Sequence, residues 1–203
     1  MNLKKLSTLP VTTDVAMDIR HILSEARQIT VKAVHSTMVA AYWLIGRRIV
    51  LEEQGNKEKA AYGEEILQKL SKELTSEFGN GFSYANLRNM RQFYRTYPDP
   101  EKCYTVCSKL SWSHNRLIMR VADADAREWY LGEAAQQQWS VRTLERNINS
   151  FYFQRQLKSV PSTIEPEAME LETPIDVRSF IKDPYVLEFV GLPPVSIRNE
   201  RKL

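Results

Sequence analysis

GNGFSYANLRNMRQFYRTYP, residues 79–98, joins two helices and orients the second one. The helical rhythm before it predicts a helix over residues 62–78, stopped at Gly79 and Gly81, where a left-handed residue is usually needed. Ser83 is placed to offer its hydroxyl to a new helix, and Pro98 ends it. In that second helix Leu87, Met90, Tyr94 and Tyr97 recur at steps of three and four and share one face. Arg88, Arg91 and Arg95 follow the same steps as a separate stripe. One face for a core beside a row of outward guanidiniums is the geometry of a helix that approaches nucleic acid. Asn86, Asn89 and Gln92 are then candidates for polar readout of base edges. The same pattern also describes a packed helical hairpin whose arginines are simply solvated.

Upstream, Asp14 is a good N-cap for a long periodic segment that includes Val15, Ile19, Ile22, Ala26, Ile29, Ala33, Tyr42, Trp43, Ile45, Ile49 and Val50. A helix over residues 14–53 would be about 60 Å long. A break around His35 and Ser36 stays open. So long a helix serves as a bundle spine or a dimer seam. In the helix over residues 62–78, Ile66, Leu67, Leu70 and Leu74 face inward, and Glu64 and Glu65 suit its positive end.

Downstream, residues 98–110 read as a connector. It holds both cysteines, Cys103 and Cys107; with His114 the one histidine nearby, the ligand set is too small for zinc, and packed, reduced thiols are expected. Ser111 or Ser113 caps the next helix, where Leu117, Ile118 and Val121 are buried and Arg116 and Arg120 share a face. Asp123 or Asp125 opens another, packed through Trp129, Tyr130, Leu131 and Ala135, and Trp112, Trp129 and Trp139 are assigned to one core. Ser140 opens SVRTLERNINSFYFQRQL, with Val141, Leu144, Ile148 and Phe151 on its apolar face and Arg142 and Arg146 opposite, extending the basic footprint. Aligning Ser140 with Ser83 sets Leu144 on Leu87 and Phe151 on Tyr94, a hint of a repeated helix-turn-helix unit, although chance similarity of amphipathic helices accounts for two matched positions. The expected fold is all-α: a helical bundle with helix-turn-helix or winged-helix-like units and a long N-terminal helix.

At 203 residues, with 43% hydrophobic and 26% charged side chains, the chain can bury a core without staples. Its net charge of +3 is unevenly spread: residues 80–160 carry 12 basic and 7 acidic side chains, residues 161–203 carry 5 and 8. A basic middle favours polyanions through counterion release. No apolar run approaches the ~20 residues that span a bilayer, and the N-terminus lacks the apolar stretch of a secretory signal. No membrane association and a cytoplasmic location are expected. Residues 1–158 read as a helical, DNA-binding domain, residues 159–174 as an acidic, proline-bearing linker, and residues 175–203 as the start of a further unit. Phosphodiester cleavage needs carboxylates gathered around Mg²⁺. The pairs Glu52–Glu53 and Glu64–Glu65 look like solvated helix faces, and no Gly-rich phosphate loop, GxSxG or HExxH occurs. No catalytic and no metal-binding residue is assigned.

The segments YWLIGRRIV (residues 42–50), EEQG (52–55), the long run 61–98, SWSHNRLIMRV (111–121), EAAQQQWSVRTLERNI (133–148) and DPYVLEFVGLP (183–193) resemble the YhcG-like proteins, which join an N-terminal helical domain to a C-terminal PD-(D/E)xK nuclease domain. The resemblance runs in the same order over most of residues 14–203. It implies that the helical part is a winged-helix-like or helical DNA-binding module and that residues 183–193 bridge to the nuclease. It also implies that the catalytic carboxylates, lysine and Mg²⁺ belong to a domain beyond Leu203, absent from this truncated chain, and Glu200 is not taken as catalytic. DNA is the implied partner. The alternative is a helical interaction or dimerisation module, with a homodimer formed through the first helix. A basic patch spanning both arginine helices on one molecular face favours DNA; arginines scattered around the molecule, with a large exposed apolar stripe on residues 14–53, favour a protein partner.

Overall fold

The first helix, α1 (Val15–Gly55), runs for 41 residues without the break considered at His35 and Ser36. The Asp14 carboxylate accepts from the Met17 N–H at 3.1 Å and so opens it. A computed structural model describes residues 13–55, 62–158 and 185–186. The linker and most of residues 175–203 lie outside the described residues. After α1 come α2 (Tyr62–Phe78), α3 (Tyr84–Thr96), α4 (Pro100–Thr105), α5 (Trp112–Ile118), α6 (Ala124–Gln136), α7 (Val141–Asn149) and α8 (Tyr152–Lys158) among the described residues. The fold is all-α, and no strand, and hence no β-wing, occurs among the described residues.

The joint between α2 and α3 is made by Gly79 at φ 89° and a single 3₁₀ turn, Asn80–Phe82. Ser83 stands at the N-cap of α3 as expected, but its hydroxyl makes no capping bond. Its carbonyl instead accepts from the Asn86 and Leu87 N–H groups at 2.9 Å each. Leu87, Met90, Phe93 and Tyr97 are fully buried against α1, whose own buried face begins only at Val31 and runs through Met38, Val39, Tyr42, Trp43, Gly46, Ile49 and Val50. Gly46 marks the closest approach: a Cβ built there would sit 2.0 Å from the Met90 carbonyl oxygen. Around this crossing Trp112 meets the ring edges of Tyr42 and Phe93 at 4.9 and 5.4 Å, and the Trp43 indole N–H donates to the Tyr97 carbonyl at 2.7 Å.

The connector folds more than expected. Asp99 caps α4 by accepting from the Glu101 N–H, with Pro100 at the first helical position. A 3₁₀ turn, Cys107–Lys109, follows, and it buries Cys107 beside the equally buried Cys103. Both thiols are free, and burial pushes each up to about 12. Neutral and enclosed, they are core residues with little thiolate character.

Ser111, Asp123 and Ser140 cap α5, α6 and α7, each accepting a backbone N–H three residues on. The long helix expected from Ser140 is broken: α7 ends at Asn149, and Phe151 takes a φ of 54° before α8. Phe151 is 66% exposed, so it leaves the apolar face assigned to it and does not repeat the half-buried Tyr94. Leu144, like Leu87, is buried. Trp129 and Trp139 stack edge-on at 6.1 Å and pack on the rim of the core that holds Trp112. Val186 also enters that core. No helix among the described residues is long and apolar enough to cross a membrane.

Candidate nucleic-acid interface

The arginines of α3 do not form the open stripe that their spacing suggests. Glu53, in the last turn of α1, reaches between two of them: Oε1 accepts from Arg91 at 2.6 Å and Oε2 from Arg95 at 2.7 Å. The Glu53 side chain is only 11% exposed. Gly63 in α2 makes room for it, since a Cβ there would meet Oε1 at 2.6 Å. The expectation that Glu52 and Glu53 are both solvated is therefore corrected. Glu52 pairs with Arg48 at the surface, whereas Glu53 is a tether between helices. Arg88 remains exposed and forms no ion pair among the described residues.

Asn86 is also withdrawn from readout. It is buried, with its amide NH₂ donating to the Gly81 carbonyl at 2.6 Å and its oxygen accepting from the Trp112 indole at 2.9 Å. Both ends of the side chain are used inside the protein. Its place three residues before Asn89 concealed this, because helical spacing alone does not tell a core amide from a surface one.

The structure supplies a different cationic feature. α3 on one side, and the end of α5 with the turn that follows it on the other, flank a groove of about 340 Å³ lined by Arg88, Asn89, Arg91, Gln92, Arg116, Met119 and Arg120. Among the described residues, four guanidiniums and no carboxylate line it. Arg88, Gln92 and Arg120 are exposed, Asn89 is half-buried, and the Arg116 guanidinium lies 5.0 Å from the centre of the Tyr185 ring. In so positive a cleft an anion gains most when a planar guanidinium donates two bonds to it. Arg116 and Arg120 were recognisable as a pair on one helix face. Their meeting with α3 depends on tertiary packing, so they were not expected among the site residues.

Arg142 and Arg146 are exposed on α7 and are not among the groove residues, and Glu145 lies between them in sequence. The N-terminal part of α1 keeps Val15 and Ile19 exposed by 69 and 51%. The basic groove and the exposed apolar stripe therefore both exist, on different elements.

α5 and α7 meet near a histidine with a structural task. His114 Nε2 faces the Trp139 carbonyl at 2.8 Å, and Nδ1 faces the Ser111 hydroxyl at 2.6 Å. A carbonyl only accepts, so Nε2 carries the proton and Nδ1 accepts from Ser111. Burial holds this imidazole down at about 4, despite the opposing pull of the Trp139 carbonyl; His35 pushes the same way as burial. The unfolded chain takes up a proton near 6.5, the folded one only near 4. The stability contributed by neutral His114 is thus complete above pH 6.5 and is lost as pH falls toward 4. Thermal unfolding between those values is expected to show a loss of about 2–3 kcal/mol, and His114→Gln should flatten that slope.

Residues 18–155 match the family model of the DUF1016 N-terminal domain. A protein of Escherichia coli (strain K12) described as "Putative nuclease YhcG" is 35% identical over 202 residues, covering 85% of this chain and 54% of the relative. The chain thus spans about half the length of that relative. No solved structure matches the chain.

Proposed function

This chain belongs to the family of the DUF1016 N-terminal domain, and on that premise we propose that it is the DNA-binding, targeting part of a nuclease. The observation that carries the proposal is the groove between α3 and the end of α5, with four arginines and, among the described residues, no acidic lining. Arg88 and Arg120, exposed on its two walls, bind phosphates, while Arg91 is divided between the groove and Glu53. Asn89 and Gln92 are within the same groove and act on base edges or sugar oxygens. Arg142 and Arg146 extend the contact along α7. On this reading residues 1–158 are the targeting domain, residues 159–174 tether it, and residues 175–203 lead toward the catalytic part.

Cleavage is assigned to no residue of this chain. A PD-(D/E)xK centre holds Mg²⁺ with clustered carboxylates, and no residue here is proposed for that role. The metal and the hydrolytic step belong, on this proposal, to a separate catalytic unit of the family architecture.

The test is a titration of labelled duplex DNA at several salt concentrations with the chain and its Arg88→Ala/Arg120→Ala variant. Both side chains are exposed, so the variant should keep its fold. Affinity is expected to drop on the order of tenfold or more, and the slope of log affinity against log salt to flatten by about two, one for each guanidinium withdrawn from a phosphate. An unchanged affinity and slope would remove the groove from the interface. Replacing Asn89 and Gln92 should instead alter the preference among DNA sequences or forms.

A further inference from the structure

α1 carries two apolar rows that do not coincide. Back from Met38 in steps of seven the core-facing row reads Val31 and then Ser24; back from Tyr42 it reads His35, Gln28 and His21. The face that packs on the core thus turns polar before Val31. A second row occupies the N-terminal stretch: Val15, Ile19, Ile22, Ala26, Ile29 and Ala33 alternate steps of four and three, the heptad spacing of a coiled-coil seam. Ile29 precedes Met38 by nine residues, which at about 100° per residue sets the two on opposite sides of the helix. Ile22 is 44% exposed and Leu23, on the flank of the seam, 50%.

We propose that this seam pairs antiparallel with the same seam of a second copy, about a dyad at residue 24. The side-chain sizes decide the direction. A parallel pair would stack Ala26 on Ala26 and Ala33 on Ala33, leaving holes. An antiparallel pair sets Ile22 against Ala26, Val15 against Ala33 and Ile19 against Ile29, each twice by symmetry. In that register Lys32 of one copy flanks Asp18 of the other, and the two Leu23 side chains meet across the seam. Two Glu25 side chains also meet at the dyad, a like-charge contact that holds the affinity down. The occupant is a second copy because the row complements itself in side-chain size, large residue against small, about the dyad. The pairing sets the two Trp43 residues about 57 Å apart along the axis, so each dimer presents two separated arginine grooves. It stands independently of what those grooves bind.

Sedimentation equilibrium of the 203-residue chain, across micromolar and higher concentrations, is the first measurement. A mass rising toward twice 23.6 kDa is expected, with Ile19→Arg/Ile22→Arg returning it to the monomer while the helical signal stays unchanged. A nitroxide on Thr37→Cys, an exposed site, reports the direction; Cys103 and Cys107 are enclosed and escape the label. An antiparallel pair places the two labels about 40 Å apart, a parallel one about 10 Å. A monomer at every concentration, a dimer indifferent to the Ile19/Ile22 change, or the short distance would each overturn the proposal.

Discussion

Gly46→Ala is expected to destabilise the chain by about 3 kcal/mol or more, against the sign that helix propensity alone predicts. Alanine in a helix interior is favoured over glycine by about 1 kcal/mol. At Gly46, however, the added methyl falls 2.0 Å from the Met90 carbonyl oxygen and 3.2 Å from the Tyr94 Cβ. The first neighbour is backbone and cannot swing aside, so α1 and α3 must separate. That would loosen Leu87, Met90 and Phe93, all fully buried along the same crossing. Gly132 in α6 is the internal control, since a Cβ there meets nothing within 4 Å. Gly132→Ala should stabilise by about 0.5–1 kcal/mol. Urea unfolding followed by helical circular dichroism compares the two. A higher midpoint for Gly46→Ala would mean that the crossing is looser than described.

Asn86→Ala should cost about 2–4 kcal/mol. The change leaves two buried groups without partners, the Trp112 indole N–H and the Gly81 carbonyl, and it opens a small void. Asn86 ties the turn between α2 and α3 to the α5 tryptophan, so the joint that orients α3 should loosen as well. Unfolding monitored by tryptophan emission is the measurement. Stability equal to wild type would make Asn86 a candidate for surface readout again.

The helices were legible because their boundaries are chemical: Asp14 and Ser140 cap, Gly79 takes the left-handed turn, and apolar residues recur at helical steps. The break at Phe151 was not, because no glycine or proline announces a left-handed residue there. In the candidate site, Arg88, Asn89, Arg91 and Gln92 line the groove, while Arg95 is turned toward Glu53. Arg116 and Arg120 could not be joined to them from spacing, since two helices become one wall only through packing. Asn86 failed for the opposite reason: a buried amide and an exposed one have the same period in a sequence. The N-terminal row of α1 was legible as apolar, yet only the structure separates it from the face that packs on α3.

Glu53 has a consequence for how this protein can change over generations. The last turn of α1 contains no basic side chain, and the helix dipole already makes that end negative. A sequestered carboxylate is tolerable there because two guanidiniums surround it. Positions 53, 91 and 95 therefore form one heritable unit. Homologues should keep all three or exchange them jointly, and a lineage that loses the acid alone would gain a more cationic surface together with a weaker joint.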